Sequence, residues 1–364
     1  MGLLRVLLAI SVFMAHSSSP IFFGGGFGAS NSVELFFLLS GFYIALILDK
    51  SYSTKWKFYK NRILRLFPIY YIILALVLMQ VAFIPGIRES HFAFPEKALI
   101  FGTISNFTLF GSDWLLFSKY HNGTLSFGSY RHSELPLHQM LFVPQSWSIG
   151  IEITFYLLAP LLCKARSRYL VITLTALLLV RFAALKLGLN QDPWTYRFFP
   201  FELPLFLIGI LIYRLRAQRW VNIKISLFKI YLLLITSYLS FGYLIANYRV
   251  NRFWQLLILI ILAFIVMMWG EVKPKDKKLG DLSYPIYLSH VLVISTYTGI
   301  ISVFEKKFYL LEILKKPLFL MPISLSLTIL FSYFIVYLVR PFEKMRDKNR
   351  TQKSSSEFNL RNYF

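Results

Sequence analysis

The chain contains a single cysteine, Cys163. That excludes a disulfide framework, a cysteine-rich zinc site and an iron–sulfur cluster. Charge is also scarce: 15% of its 364 residues are Asp, Glu, Lys or Arg, against about 25% in ordinary globular chains. Acidic residues are the scarcer kind, 17 against 39 Lys and Arg. Heptads, a solenoid period and an internal inverted repeat are all missing from the pattern. What fills the chain instead is hydrophobic residues, 57% of the total, with aromatics making up 18% of the total and a mean hydropathy of +0.59. No soluble fold keeps so much apolar surface out of water. Apolar runs near 20 residues recur as far as residue 339, so the expectation is an all-α polytopic membrane protein with no appended soluble domain.

The net charge of +22 would suggest nucleic acid in a soluble protein, but its placement argues otherwise. Ten membrane helices are predicted near residues 3–22, 32–48, 64–84, 147–163, 168–187, 200–215, 227–247, 252–271, 283–303 and 317–339. An even number puts both termini on one side. With both termini cytoplasmic, 26 of the 39 Lys and Arg fall in inner segments and 12 in outer ones, as the positive-inside rule requires. Contact with anionic membrane lipids follows from the same charges. No basic face is interleaved with exposed aromatics on a soluble module, so nucleic acid is not expected as a partner. Residues 98–117 are apolar enough to span, yet an eleventh crossing would reverse every later loop, so a re-entrant or interfacial segment is expected there. Residues 1–343 are expected to form the membrane domain and 344–364 a basic, partly disordered cytoplasmic tail. The opening segment also shows the charged, apolar and small-residue order of a signal peptide.

A charge inside the hydrocarbon costs about 2.5–3.5 kcal/mol on insertion scales, so each one needs a partner, a watered cavity or a task. The set here is small: Arg5, His16, Glu34, Arg65, Glu152, Arg181, Glu202 and His290. Arg5 and His16 are eleven residues apart, about 16 Å and three turns along a helix, hence on roughly one face. Each group also has a plainer reading. Arg5 can snorkel to the headgroups, and a lone membrane histidine can simply hydrogen-bond within the packing. Glu34, Glu152 and Glu202 sit in first turns, where a carboxylate complements the helix dipole. His91, His121, His132 and His138 lack metal-type spacing and read as loop histidines; no metal site is expected.

The order of these residues is what identifies a family. Arg5 and His16 form an Arg-x10-His pair. VELFFLLSGF occupies 33–42, Arg62-Ile-Leu-Arg65-Leu-Phe-Pro68-Ile-Tyr70 opens the third helix, WSIGIEITFYLLAP occupies 147–160 and LGDLSYPIYLSH occupies 279–290. The chain thereby resembles the membrane-bound acyltransferase-3 family, O-acetyltransferases of bacterial surface polysaccharides. It departs from the family pattern at Glu34, where the family has Asp, and at Leu338-Val339-Arg340-Pro341, where the family carries an acid.

The resemblance implies an O-acyltransferase in the bacterial inner membrane. It would move an acyl group, most simply acetyl, from acyl-CoA to a hydroxyl of a lipid-linked or surface glycan, with no bound cofactor. His16, Glu152, Glu34 and His290 are the implied catalytic residues, with His290 open between a second catalytic group and a packing residue. Arg5, Arg62, Arg65, Trp147, Ser148 and Tyr156 are the implied substrate-binding residues. Guanidinium groups at the inner face suit the phosphates of CoA. His16 suits either base catalysis or an acyl-imidazole relay, with Glu34 or Glu152 orienting the ring. The competing class is a transporter or flippase of lipid-linked sugars, which buried charges and Gly/Pro-interrupted helices fit at the level of composition.

Overall fold

The computed structural model describes residues 1–17, 25–51, 54–83, 94–218, 225–248, 250–271, 273–305 and 309–348. The protein is almost wholly helical: α1 (Gly2–His16), α2 (Ala29–Lys50), α3 (Lys55–Phe83), α4 (Glu96–Thr108), α5 (Trp147–Leu162), α6 (Ser167–Lys186), α7 (Phe199–Ala217), α8 (Leu227–Asn247), α9 (Arg252–Trp269), α10 (Pro274–Asp281), α11 (Ser283–Glu305), α12 (Pro317–Leu338) and α13 (Arg340–Lys348). A hairpin pairs β1 (Ser118–His121) with β2 (Thr124–Phe127) in antiparallel register. All ten expected helical segments are helices. Among the described residues, seven helices are long and apolar enough to cross a membrane, with α10 and α11 counted as one of them. α1 is shorter than expected, at 15 residues, and α3 begins nine residues earlier, at Lys55. The early start is physically reasonable, because Lys55–Lys60 carries no helix breaker and continues the helix toward water.

The 98–117 segment divides differently from the rest. α4 has 13 residues, about 20 Å of helix, short of a hydrocarbon core of about 30 Å. Leu109, at a φ of 61°, closes it in the left-handed conformation, and a 3-10 turn over Trp114–Phe117 follows. Of the expected tail, residues 344–348 belong to α13 and the remainder lies outside the described residues.

The chain divides into two compact units, and the boundary passes through α2. The first unit is Met1–Phe36 with Gln218–Lys344. Here α1 packs against α10 and α11, and α11 against α12. Leu4, Leu8, Ala9, Val12, Phe13 and Met14 are all buried, so α1 hides most of its circumference, as an apolar helix without a polar stripe must. Its first turn is held by Asp276 of α10, whose carboxylate accepts from the backbone N–H of Gly2 at 2.8 Å and of Leu3 at 3.2 Å. The Met1 ammonium at 2.9 Å and the Tyr231 hydroxyl at 2.9 Å complete it. Those are the orphan donors of a helix start, satisfied from a neighbouring helix.

The second unit is Phe37–Ala217 with Met345–Phe364. Its α2–α7 contact is a backbone contact: a Cβ on Gly41 would collide with the Phe206 carbonyl, and one on Gly209 with the Leu38 carbonyl. Small residues let membrane helices approach this closely. Arg214, 1% exposed, fastens the α5–α6 turn by donating to Ser167 Oγ (2.9 Å) and to the carbonyls of Cys163 (3.2 Å) and Ala165 (2.7 Å). Asn106 ends α4 in the same way, donating to the carbonyls of Gly102 and Met140 at 2.8 Å each. Outward-facing positions on α6 are apolar, among them Ile172, Leu179 and Phe182. A surface of that kind suits lipid, where every backbone group is already satisfied within the helix.

Two expectations follow from the packing. Gly41→Ala and Gly209→Ala should each destabilise by about 1–3 kcal/mol through forced separation of α2 and α7. Gly299→Ala, with nothing within 4 Å of its Cβ, should be neutral or stabilising; thermal unfolding in detergent measures all three. The second expectation concerns Asp113, 1% exposed, with Oδ1 lacking a hydrogen-bond partner among the described residues. Burial pushes its carboxyl from 3.8 up to about 7. The folded state therefore holds a proton that the unfolded state releases above pH 3.8, so stability falls as pH rises toward 7 and then levels off. Asp113→Asn should flatten that slope in unfolding curves recorded between pH 5 and pH 8.

Candidate active site

Within the first unit, α1 and α11 bring two imidazoles together. His290 Nε2 lies 3.3 Å from His16 Nδ1, with ring centroids 4.9 Å apart. His16 Nδ1 is also 2.9 Å from the Val12 carbonyl, one turn back on α1. His290 Nδ1 is 2.6 Å from the Tyr287 carbonyl. The two rings differ in access: His290 is fully buried beside Phe13 and Tyr287, whereas His16 is exposed at the end of its helix. Arg5 lies toward the other end of α1 and is half-buried. A Cβ on Gly280 would stand 2.9 Å from Gly2 Cα, so the glycine of the 279–290 block lets α10 close on the start of α1, with Arg5 Nη1 3.6 Å from the same point.

Glu34, fully buried, is paired with Arg252 Nη2 at 2.8 Å. One turn earlier on α2, Asn31 donates to Gln255 Oε1 at 2.9 Å. Glu34 thus joins α2 to the start of α9, and within this unit the side chain that reaches His16 Nδ1 is His290. Sequence reasoning considered Glu34 as the orienting carboxylate because it had no view of Arg252, a charge counted only among the outer-loop residues.

The second unit holds a separate polar cluster. Glu152 Oε1 accepts from Ser40 Oγ at 2.8 Å and from the Tyr156 hydroxyl, one helical turn further along α5. The Arg62 guanidinium stands 5.8 Å from the Tyr156 ring and 5.6 Å from the Phe58 ring, and Arg65 lies within electrostatic reach of the same tyrosine. Arg62 is 3% exposed, with Nε and Nη1 lacking hydrogen-bond partners among the described residues. Cation–π contact offsets part of the desolvation of a guanidinium, but about 2 kcal/mol at best. An uncompensated buried charge costs several times that. Two buried guanidinium nitrogens without hydrogen-bond partners among the described residues can chemically donate to an anion.

Trp147 and Ser148 sit apart from that cluster in their contacts. Trp147 is 7% exposed under the Arg197 guanidinium at 4.4 Å and beside Tyr196 at 5.8 Å. Arg197 is itself held by Asp192 at 2.6 Å, which also accepts from the Tyr130 hydroxyl at 2.7 Å. Ser148 Oγ donates to the Gln145 carbonyl at 3.1 Å, within the opening turn of α5. Arg181 donates to the carbonyls of Phe201 (2.8 Å) and Thr195 (2.6 Å) and stands 3.6 Å from Glu202, so its role in the hydrocarbon is accounted for by partners. Of the loop histidines, His121 pairs with Glu134 at 2.7 Å, His132 is exposed, His138 rests edge-on against Tyr130, and His91 lies outside the described residues. Ser40 was missed as a site residue, although the Leu-Ser-Gly-Phe of α2 carries it.

Removing Arg252 tests the Glu34 pair directly. Arg252→Ala removes the cation 2.8 Å from a fully buried carboxylate and should cost about 2 kcal/mol, less than for a wholly buried pair because Arg252 is one-third exposed. Adding Glu34→Gln to that variant should recover most of the loss, as read by thermal unfolding in detergent.

Comparison with curated proteins and with solved structures gives no match. The acyltransferase domain of the acyltransferase-3 family matches residues 1–337, which takes in α1, both histidines, Glu34, Glu152 and the Arg62–Arg65 segment. The chain is a multi-pass membrane acyltransferase and belongs to the acyltransferase-3 family.

Proposed function

We propose that this acyltransferase moves an acetyl group from acetyl-CoA to a hydroxyl of a lipid-linked or surface glycan in the bacterial inner membrane, with ten spans and both termini cytoplasmic. The observation that carries the donor side is Arg62. A guanidinium buried to 3% exposure with two nitrogens lacking hydrogen-bond partners among the described residues is matched by a phosphate, which takes bidentate bonds from it. CoA supplies phosphates from the cytoplasmic side, where the charge distribution puts Arg62, Arg65 and Arg5. In the same unit Tyr156 and Ser40 both donate to Glu152, and Arg62 lies against the Tyr156 ring.

His16 is the base. In the reaction the glycan hydroxyl oxygen forms a bond to the thioester carbonyl carbon while its proton passes to the imidazole. The carbon–sulfur bond then breaks, and the CoA thiolate takes the proton from the imidazolium and leaves as the thiol. Base catalysis of this kind contributes typically 10²–10⁴-fold, and an exposed His16 ring has the access the step requires.

Membranes incubated with acetyl-labelled CoA and total cell glycan test the reading. Wild type should transfer label to glycan. His16→Ala at matched expression should lose at least about 100-fold in kcat, and Arg62→Ala should raise KM for acetyl-CoA by about 10-fold or more, the worth of a charge-assisted phosphate contact. Absence of transfer from wild type with any acyl-CoA would overturn the acyl-CoA donor. Equal labelling by wild type and His16→Ala would remove His16 from the chemistry.

A further inference from the structure

We infer that His290, as a neutral imidazole and in place of a carboxylate, is the positioning residue for His16. It holds that ring with the Nε2 lone pair free for the acceptor's proton. The inference rests on the reading of His16 as the base and adds which nitrogen acts and what stands behind it.

The tautomers follow from the carbonyls. A carbonyl oxygen only accepts, so the ring nitrogen facing it must carry hydrogen. His16 Nδ1 faces the Val12 carbonyl at 2.9 Å and His290 Nδ1 faces the Tyr287 carbonyl at 2.6 Å. Both rings are therefore Nδ1–H, and in a neutral imidazole the other nitrogen is then a lone pair. For His290 that lone pair is Nε2, the atom 3.3 Å from His16 Nδ1. The direction of the contact is fixed: His16 Nδ1–H donates, shared between Val12 and His290, and His290 accepts. The remaining nitrogen, His16 Nε2, is left as the free base on the exposed ring. A second proton on His290 would set N–H against N–H in a fully buried position, so the arrangement holds His290 neutral.

During transfer the acceptor hydroxyl gives its proton to His16 Nε2. The ring becomes an imidazolium, and its Nδ1–H bond to His290 becomes charge-assisted, roughly twice as strong as a neutral one. The gain exists only while the charge is present, so it lowers the barrier without tightening substrate binding. A packing role for His290 predicts a different outcome, a loss of folded protein with no selective loss of turnover.

The test compares His290→Leu, which keeps bulk but cannot accept, with His290→Gln, whose amide oxygen can. With acetyl-labelled CoA and total cell glycan, His290→Leu should lower kcat about 10–100-fold with KM for acetyl-CoA changed less than about two-fold. His290→Gln should recover at least about 10-fold of a 100-fold loss, and both variants should unfold at near wild-type temperature. Equal losses in Leu and Gln variants, or a loss confined to KM or to the yield of folded protein, would overturn the inference. Ring 15N spectra of histidine-labelled protein in liposomes give a readout independent of activity. The signals that vanish in His16→Ala and in His290→Gln should both belong to Nδ1–H rings with unprotonated Nε2; an Nε2–H form for either ring overturns it. Wild type that transfers no label removes the proposed reaction, and with it the inferred catalytic role, while the spectra still decide the tautomers.

Discussion

In a bilayer a polar group cannot turn to water, so its partner must be built in next to it. The arrangement of this chain depends on that constraint at every charged position in its apolar helices. Glu34 has Arg252, Arg181 has two carbonyls and Glu202, Arg214 has the end of α5, and Asp276 takes the first N–H groups of α1. Against that background Arg62 stands out, a buried guanidinium resting on two aromatic rings with nitrogens still to be satisfied. Partnered charges explain the fold, and the two unsatisfied nitrogens of Arg62 are the ones the proposed function gives to a phosphate. The two histidines belong to a third kind, imidazoles that meet a carbonyl on one side and each other on the next.

Much of this was legible before any coordinates. Long apolar runs broken by short basic loops mark helices clearly, and the ten expected segments are helices whose ends mostly fall within a few residues of prediction. The site residues were legible through their spacing, Arg5 to His16 above all. The 85–146 region was not. Its α4 ends at Leu109 in a left-handed residue, its hairpin turns at Asn122 and Gly123, and its polar ties run through Asn106, Ser112 and Ser133. No period announces ties of that sort, because each is set by a neighbour far away in sequence. The same limit applied to pairing: sequence order said which groups were ionisable, and could not say that Glu34 faces Arg252 or that His290 faces His16, 218 and 274 positions away.

The two polar clusters divide chemically. One is made of two imidazoles with an arginine along the same helix, suited to moving a proton. The other combines a carboxylate, a phenol, a hydroxyl and guanidinium groups, suited to fixing charge. Family membership adds that both clusters lie within one acyltransferase domain. The proposed reaction would use both, since acyl-CoA brings phosphates to be held and the glycan brings a hydroxyl to be deprotonated.

The reciprocal glycine contacts of α2 and α7 have a mechanical consequence. Where backbone meets backbone at Gly41 and Gly209, no side chain remains to swing aside, so neither a lipid tail nor an acyl chain can wedge between the two helices. That seam behaves as one stiff double post. A passage for an acyl chain would have to form along other helices, and Ser40, one residue before Gly41, is anchored by the seam.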